Sequence, residues 1–276
     1  MPAPDRQRRG RVVAETAVVS QHVQGGPDWW HLTLRAPTIS RSAFPGQFVQ
    51  VRVQPLRTPA PVYDPLLARP LSLCTLDPER GELSVIYRVV GRGTALLAAI
   101  APGSTVELLG PLGRSFPDPS TGRGPLFLVG GGLGIPPLAA AATWARGRGP
   151  VALLGARRGA DLAGADQVAA AGARVELCTE DGSRGAASLV TDLLRERLVA
   201  GGEVWACGPN PMLAAVAAAS AEAGAPAWLA LERPMACGFG VCMGCAVRAP
   251  DGTYLKACTE GPVFPAAAVD WGEGRA

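Results

Sequence analysis

ERPMACGFGVCMGCAVRAPDGTYLKACTEGP, residues Glu232–Pro262, holds four of the chain's seven cysteines. Cys237, Cys242, Cys245 and Cys258 follow the spacing C-x4-C-x2-C-x12-C, with the first three on one short loop. A plant-type [2Fe–2S] cluster asks for C-x4-C-x2-C and a distant fourth cysteine. Four thiolates must converge on two irons, so the loop has to curl. Gly238, Gly240 and Gly244 suit that: glycine tolerates positive φ, and its bare backbone lets N–H groups approach the sulfurs. Structural zinc sites usually draw on two close cysteine pairs, and only Cys242 and Cys245 form one here. A disulfide framework fits less well, because the chain shows no secretory signal and is too long to need stapling.

At 276 residues the chain has room for two domains and a small appendage, expected over 1–120, 121–232 and 233–276. Nearly half the residues are hydrophobic, enough for real cores. A net charge of +3 offers no basic patch, so nucleic acid is not an expected partner. The opening MPAPDRQRRGR has no apolar run behind it and reads as a frayed start rather than a signal peptide. No stretch approaches the roughly 18 apolar residues of a membrane span. A cytoplasmic location is the expectation, and the odd cysteine count with a metal cluster agrees.

From Arg11 to Gly113 the pattern is β. Strands are expected at Val12–Val19, Trp29–Ala36, Gln47–Val53, Pro70–Thr75, Leu83–Val90 and Thr105–Leu109, with one helix at Thr94–Ile100. That spacing suggests a closed antiparallel barrel, with the proline-rich Pro55–Leu67 as a surface excursion. Arg69-Pro70-Leu71-Ser72 lies inside it. Ile86-Tyr87-Arg88 and Gly91-Arg92-Gly93-Thr94 follow, the latter where the helix begins. Glycines at a helix start offer free N–H groups to a pyrophosphate, Arg69 could pair with it bidentately, and Ser72 could bond a ring nitrogen. An ordinary hairpin with a solvated arginine reads the same residues equally well.

After Asp118–Gly124 the period switches to alternation. Strands are expected at Leu126–Val129, Val151–Leu154, Arg174–Cys178, Val204–Cys207 and Ala227–Leu231. Helices are expected at Pro136–Ala145, Asp161–Ala170, Ala187–Arg197 and Pro211–Ala223. This means a parallel sheet with right-handed crossovers. Asn210 is the expected N-cap of the last helix, with Pro211 at N1 and Gly224 closing it. The first strand runs into Gly130-Gly131-Gly132-Leu133-Gly134-Ile135-Pro136-Pro137, a glycine-rich turn opening a helix. It fails the G-x-G-x-x-G spacing, and Arg157 and Arg158 stand where an acidic residue is usual. Cys207, on residue type alone, reads as a packed strand-end cysteine. Cys74 and Cys178 read as core.

R-P-L-S in a barrel, followed by Y-R-x-x-G-x-G-T, resembles the flavin-binding barrel of the ferredoxin reductase superfamily. G-G-x-G-x-x-P at Gly131 and Cys207-Gly208-Pro209-x-P-M resemble that superfamily's nicotinamide domain. With the C-terminal cysteines, the three motifs in order resemble the electron-transfer subunits of NAD-linked type B dihydroorotate dehydrogenases. The resemblance covers about Val12 to Phe264. It implies an α+β multidomain fold: an antiparallel β-barrel flavin domain, an α/β parallel-sheet nicotinamide domain and a small C-terminal cluster domain. It implies FAD held by Arg69, Pro70, Leu71, Ser72, Ile86, Tyr87, Arg88, Gly93 and Thr94, with Arg69 on the pyrophosphate and Ser72 near the flavin N5. It implies NAD at Gly131, Gly132, Gly134, Cys207, Gly208 and Pro209, with Ser72 and Cys207 at the reacting rings. Many members stack a tyrosine on the flavin between the arginine and the serine. That position is Leu71 here, and Tyr87 is the nearest aromatic candidate.

The implied partner is an FMN-containing dihydroorotate dehydrogenase catalytic subunit, in a heterotetramer of two plus two. Electrons would pass between that FMN and NAD+ through [2Fe–2S] and FAD, in pyrimidine biosynthesis. The alternative is an NAD(P)H:ferredoxin oxidoreductase or a sulfide dehydrogenase-type subunit; a different class again is a non-catalytic zinc protein. Glu180 and Asp181 after the third α/β strand would repel a 2′-phosphate, which points to NAD over NADP. Met243 and Phe264 are candidate contacts for the partner, although lone apolar residues are more often simply core; His22 and His31 lie in early barrel strands, away from acid–base chemistry.

Overall fold

The structure is a computed structural model that describes residues 6–53, 64–199 and 201–272. The first part is a curled antiparallel sheet of seven strands. These are β1 (Val13–Gln24), β2 (Trp29–Arg35), β3 (Phe48–Arg52), β4 (Arg69–Ser72), β5 (Thr75–Asp77), β6 (Glu82–Arg88) and β7 (Thr105–Leu112), with helices α1 (Pro37–Ser42) and α2 (Arg92–Ala98) between them. Their order is β4-β3-β7-β1-β2-β6-β5.

The strand expected over Pro70–Thr75 is two strands, and the break between them does the closing. Leu73 N–H donates to Gln47 O on the β3 side, and Cys74 N–H to Ser84 O on the β6 side. The chain thus changes partners as it crosses from one end of the sheet to the other. Most of the proline-rich stretch expected over Pro55–Leu67 lies outside the described residues. Helix α1 is an addition, started by Pro37 and held by Glu15, whose carboxylate accepts from Thr38 N–H and Ile39 N–H at 3.0 and 2.9 Å.

Period-2 patterning gives two strands a double duty. Val49 and Val51 of β3, and Val85 and Tyr87 of β6, fill the barrel core. Phe48 and Ile86, on the opposite faces, join the cores outside it.

The second part is a parallel sheet. It comprises β8 (Leu126–Gly131), β9 (Val151–Ala156), β10 (Arg174–Thr179), β11 (Ala186–Ala187), β12 (Glu203–Cys207) and β13 (Ala227–Ala230). Helices α3 (Pro137–Trp144), α4 (Ala165–Ala170), α5 (Val190–Arg197) and α6 (Asn210–Glu222) connect them. The order β11-β10-β9-β8-β12-β13 puts a topological switch between β8 and β12, where such sheets bind ligands beyond their carboxyl ends.

Two helices start later than expected. Residues 159–161 form a separate 3-10 turn before α4, and Ala186–Ala187 pairs as β11 before α5. Helix α6 starts one residue early: Pro209 is the N-cap, with no side-chain bond, and Asn210 is the first helical residue. Gly224 ends that helix at φ +64°, as expected.

The last part adds the hairpin β14 (Ala246–Arg248) and β15 (Tyr254–Lys256), then β16 (Val263–Pro265), which returns to pair antiparallel with β13. Phe264 sits opposite Leu229 and is buried, so it is core rather than a partner contact. Phe116, past the barrel, stacks on Trp205 of β12 with centroids 5.1 Å apart, a pairing worth about 0.5–1.5 kcal/mol beyond area. Arg88 of β6 bridges Asp28 at 2.8 Å and Asp161 of the α/β part at 3.2 Å. Barrel and sheet are therefore joined by both packing and charge.

Candidate functional site

Between barrel and sheet lies a cavity of about 570 Å³. Arg69, Pro70, Leu71, Ser72, Ile86, Tyr87, Arg88 and Thr94 line it from the barrel, and Leu133, Pro137 and Asn210 from the sheet. Leu231–Met235 forms the third wall. The pairing β3–β4 sets Ser72 opposite Phe48 and Arg69 opposite Val51, which strings R-P-L-S along the cavity edge. Thr94 ties the start of α2: its Oγ1 accepts from Val90 N–H at 2.9 Å and Gly91 N–H at 3.2 Å. Gly93 leaves its side-chain space to the Arg69 guanidinium, and Arg69 Nη1 donates to the carbonyl of Leu67. The two motifs that the sequence sets more than 20 residues apart share one corner, as a pyrophosphate seat requires.

Tyr87 is 2 % exposed, and its hydroxyl meets His22 Nε2 at 2.8 Å. His22 Nδ1 lies 2.8 Å from Ile100 O, which only an Nδ1–H can bond, so Nε2 is the acceptor for the tyrosine. Burial pushes the Tyr87 phenol up, which keeps it a donor. Leu71, at the position where the sequence resemblance would put a stacking tyrosine, lines the cavity itself. Arg88 also lines the cavity, yet its charge is committed to Asp28 and Asp161. The fit to a flavin dinucleotide is good: an apolar slot and one arginine at a glycine-bared corner. Tyr87, the aromatic candidate from the sequence, turns its ring into the barrel core and so is not a stacking partner.

At the switch point, the glycine turn after β8 packs on Cys207-Gly208-Pro209 after β12. A Cβ on Gly134 would fall 2.2 Å from Cys207 O, and one on Gly131 would fall 2.4 Å from Met212 Sδ. Gly132 takes φ +53°. Cys207 and these glycines stand behind the cavity wall, with Leu133 and Asn210 on it. Cys207 is buried, which pushes its thiol up, and the nearby Glu232 adds to that.

Glu232 escaped the reading of the sequence. It follows β13 at the sheet's carboxyl edge, lines the cavity, and burial raises its carboxyl. The signal that could have found it is position alone, since ligands gather at that edge.

The three cysteines of the loop and Cys258 fall into two pairs. Cys245 and Cys258 are buried with their sulfurs 3.2 Å apart. Burial, together with Cys245, pushes the Cys258 thiol up to about 12. Cys237 and Cys242, both free thiols, are more open. Desolvation raises the Cys237 thiol, but N–H groups of Cys242, Phe239 and Val241 outweigh it and bring it down to about 6. N–H groups aimed at a cysteine sulfur favour the thiolate, the form that binds iron. Gly238 and Gly240 take φ +79° and +90°. Gly244 does not; Met243 carries the third positive φ, at +58°, beside its ligand neighbours. Among the described residues no three His, Cys, Asp or Glu side chains close on a single ion. Two pairs lined by backbone donors fit a two-iron cluster.

The iron-sulfur cluster binding domain of dihydroorotate dehydrogenase B matches residues 232–270. The chain is similar to the electron transfer subunit of dihydroorotate dehydrogenase B (NAD(+)) from Bacillus caldolyticus, 42 % identical over 87 % of this chain and 92 % of that one. The Geobacillus kaustophilus subunit is likewise 42 % identical, over the same shares. This chain belongs to the family of dihydroorotate dehydrogenase B electron transfer subunits. Of solved structures, the chain is similar to one from the NADH-dependent reduced ferredoxin-NADP oxidoreductase, a system of flavin-based electron bifurcation. That match has a TM-score of 0.78 at 30 % identity, covering 93 % of this chain and 90 % of the other.

For a member of the dihydroorotate dehydrogenase B electron transfer subunits, the surface of the cluster loop is informative. Val241 is 73 % exposed and Met243 48 %, and Phe239 beside them is exposed as well. Three apolar side chains in a stretch of five residues make a patch at the open cysteine pair. No helix among the described residues is long and apolar enough to cross a membrane.

Proposed function

We propose that this chain carries electrons between the FMN of a dihydroorotate dehydrogenase catalytic subunit and NAD+, by way of one [2Fe–2S] cluster and one FAD. The observation that carries the reading is the sequence of sites along one molecule: a nucleotide seat at the switch point, a flavin-sized cavity in front of it, and a four-cysteine segment that continues directly from the cavity's third wall, Leu231–Met235. A nicotinamide exchanges two electrons as hydride and an iron-sulfur cluster one at a time; bound FAD supplies the conversion between them.

The residues then divide the work. Arg69, with Gly93 and Thr94, holds the pyrophosphate. Pro70, Leu71, Ser72, Ile86, Tyr87 and Arg88 shape the ring slot, with Ser72 at the reacting edge. Gly131, Gly132, Gly134, Gly208 and Pro209 seat NAD, and Cys207 packs beside the nicotinamide. Cys237, Cys242, Cys245 and Cys258 ligate the irons. Domain limits near residues 120 and 232 follow, with β16 of the third unit completing the second unit's sheet.

The partner docks on the apolar patch around Met243, in a cytoplasmic assembly of two plus two chains. Orotate formation needs a base poised beside a second flavin. The wall of the cavity holds no histidine or cysteine among the described residues, and its one carboxylate, Glu232, lies beside this chain's own flavin slot rather than a second one. The loaded chain alone therefore reduces an artificial acceptor from NADH but leaves dihydroorotate untouched. Orotate production by the isolated chain would refute the division of labour.

The likeness to the ferredoxin-NADP oxidoreductase chain supports a second reading, in which a different redox partner meets the same surface. The higher identity to dihydroorotate dehydrogenase B subunits favours the first.

A further inference from the structure

Gln50 is 2 % exposed, and both ends of its amide are buried with no hydrogen-bond partner among the described residues. An interior rarely leaves a side-chain amide in that state, because the lost solvation is not recovered. Its place in the fold says what the amide faces. On β3, Val49 and Val51 turn into the barrel, so Gln50 and Phe48 turn outward together. Phe48 lines the flavin cavity. Gln50 lines a second cavity of about 700 Å³, whose wall includes Cys237 and Phe239 of the cluster loop. The amide reaches the loop itself: a Cβ on Gly238 would fall 2.8 Å from Gln50 Nε2. Gly238 follows the first cysteine and sits at φ +79°, so the loop is bare where the amide arrives.

We propose that Gln50 is a hydrogen-bond donor to the iron-sulfur cluster on its Cys237 side, and that it raises the cluster's reduction potential. The sulfurs of such a cluster are acceptors only, and reduction adds negative charge to them, so a donor stabilises the reduced form more. A buried donor is not diluted by solvent, which strengthens the effect. Gln50 belongs to the barrel strand next to R-P-L-S, and the inference rests on the cluster reading above. It makes the barrel a participant in tuning the neighbouring redox centre.

The test is a redox titration of the loaded chain followed by electron paramagnetic resonance, on wild type and Gln50→Met, which keeps the bulk and removes the donor. With iron, sulfide and FAD content unchanged, the variant's midpoint should move negative. A tenfold loss in the reduction equilibrium corresponds to ~59 mV for one electron. An unchanged midpoint in a fully loaded variant overturns the proposal. Should Gln50→Met lose its cluster, wild type labelled with side-chain 15N-glutamine decides instead. A 15N coupling to the reduced cluster supports the donor, and its absence overturns it. Wild type lacking iron and sulfide would overturn the cluster reading itself, a separate failure.

Discussion

The guanidinium of Arg69 occupies the space that a side chain at Gly93 would need: a Cβ there would fall 2.1 Å from Arg69 Nε and 2.2 Å from Nη2. The obstacle is the far end of a flexible side chain rather than backbone, so a methyl group should displace the arginine and spare the fold. Arg69→Ala should cost about 1.5–3 kcal/mol of FAD affinity, the value of a charge-assisted bond. Gly93→Ala should cost a large part of the same amount. The double variant should lose little more than Arg69→Ala, because both changes act on one contact. Titration of FAD into the flavin-free chain measures all three, and additive losses would separate the two residues.

For the cluster, iron and acid-labile sulfide should appear in equal amounts, about two of each per chain. Replacing any of Cys237, Cys242, Cys245 or Cys258 by Ser should impair the cluster while FAD stays bound. The buried pair should hurt the fold more than the exposed Cys242, since Cys245 and Cys258 also pack in a core with Val247 and Phe264. Thermal melts of the four variants check the ranking.

Much of this architecture was legible because it is written in local patterns. The cysteine spacing, the glycine turn after a β-strand and the switch from period 2 to alternating strands and helices each placed an element. What stayed hidden depends on contacts between distant residues. Nothing near Gln50 or Glu232 in sequence announces the loop or the cavity that each one faces. The break between β4 and β5 was unreadable because Leu73 and Cys74 are as apolar as strand residues; only their two different acceptors reveal it. Phe264 could be read as a partner contact or as core from the sequence, and pairing of β16 with β13 makes it core. Residues after Asp161 were helical by composition, yet Gly164 at φ +86° delays α4 to Ala165.

Glu232 predicts a pH effect. Burial raises its carboxyl above the ordinary value of 4.5, so folding favours the protonated form. Such a group costs nothing at low pH; its penalty grows as pH rises above the unfolded value and levels off past the folded one. Glu232→Gln removes the penalty. The Tm of the variant minus that of wild type should therefore be larger at pH 8 than at pH 5, in FAD-loaded protein. A flat difference would mean that the carboxyl is ionised in the folded chain at no cost.

Cofactor choice should follow Asp181. Ser183 donates to its carboxylate through Oγ–H at 2.6 Å and N–H at 2.9 Å, which holds it below the usual carboxylate range. It is therefore ionised at neutral pH, just beyond the carboxyl end of β10, while Arg158 is engaged by Asp161 at 3.1 Å. Wild type should prefer NADH, and Asp181→Asn should raise kcat/KM for NADPH severalfold relative to NADH. Equal kcat/KM for the two cofactors in wild type would contradict the assignment.

The proposed role stands or falls with a dihydroorotate-oxidising partner. The direct measurement is NAD+-dependent orotate formation by this chain coexpressed with an FMN-containing dihydroorotate dehydrogenase catalytic subunit. A stable complex that makes orotate with NAD+ is the expected outcome, with a sharp loss of that rate when Met243→Asp charges the apolar patch. Two chains that do not associate, or a chain that instead reduces ferredoxin rapidly from NADH, would contradict it.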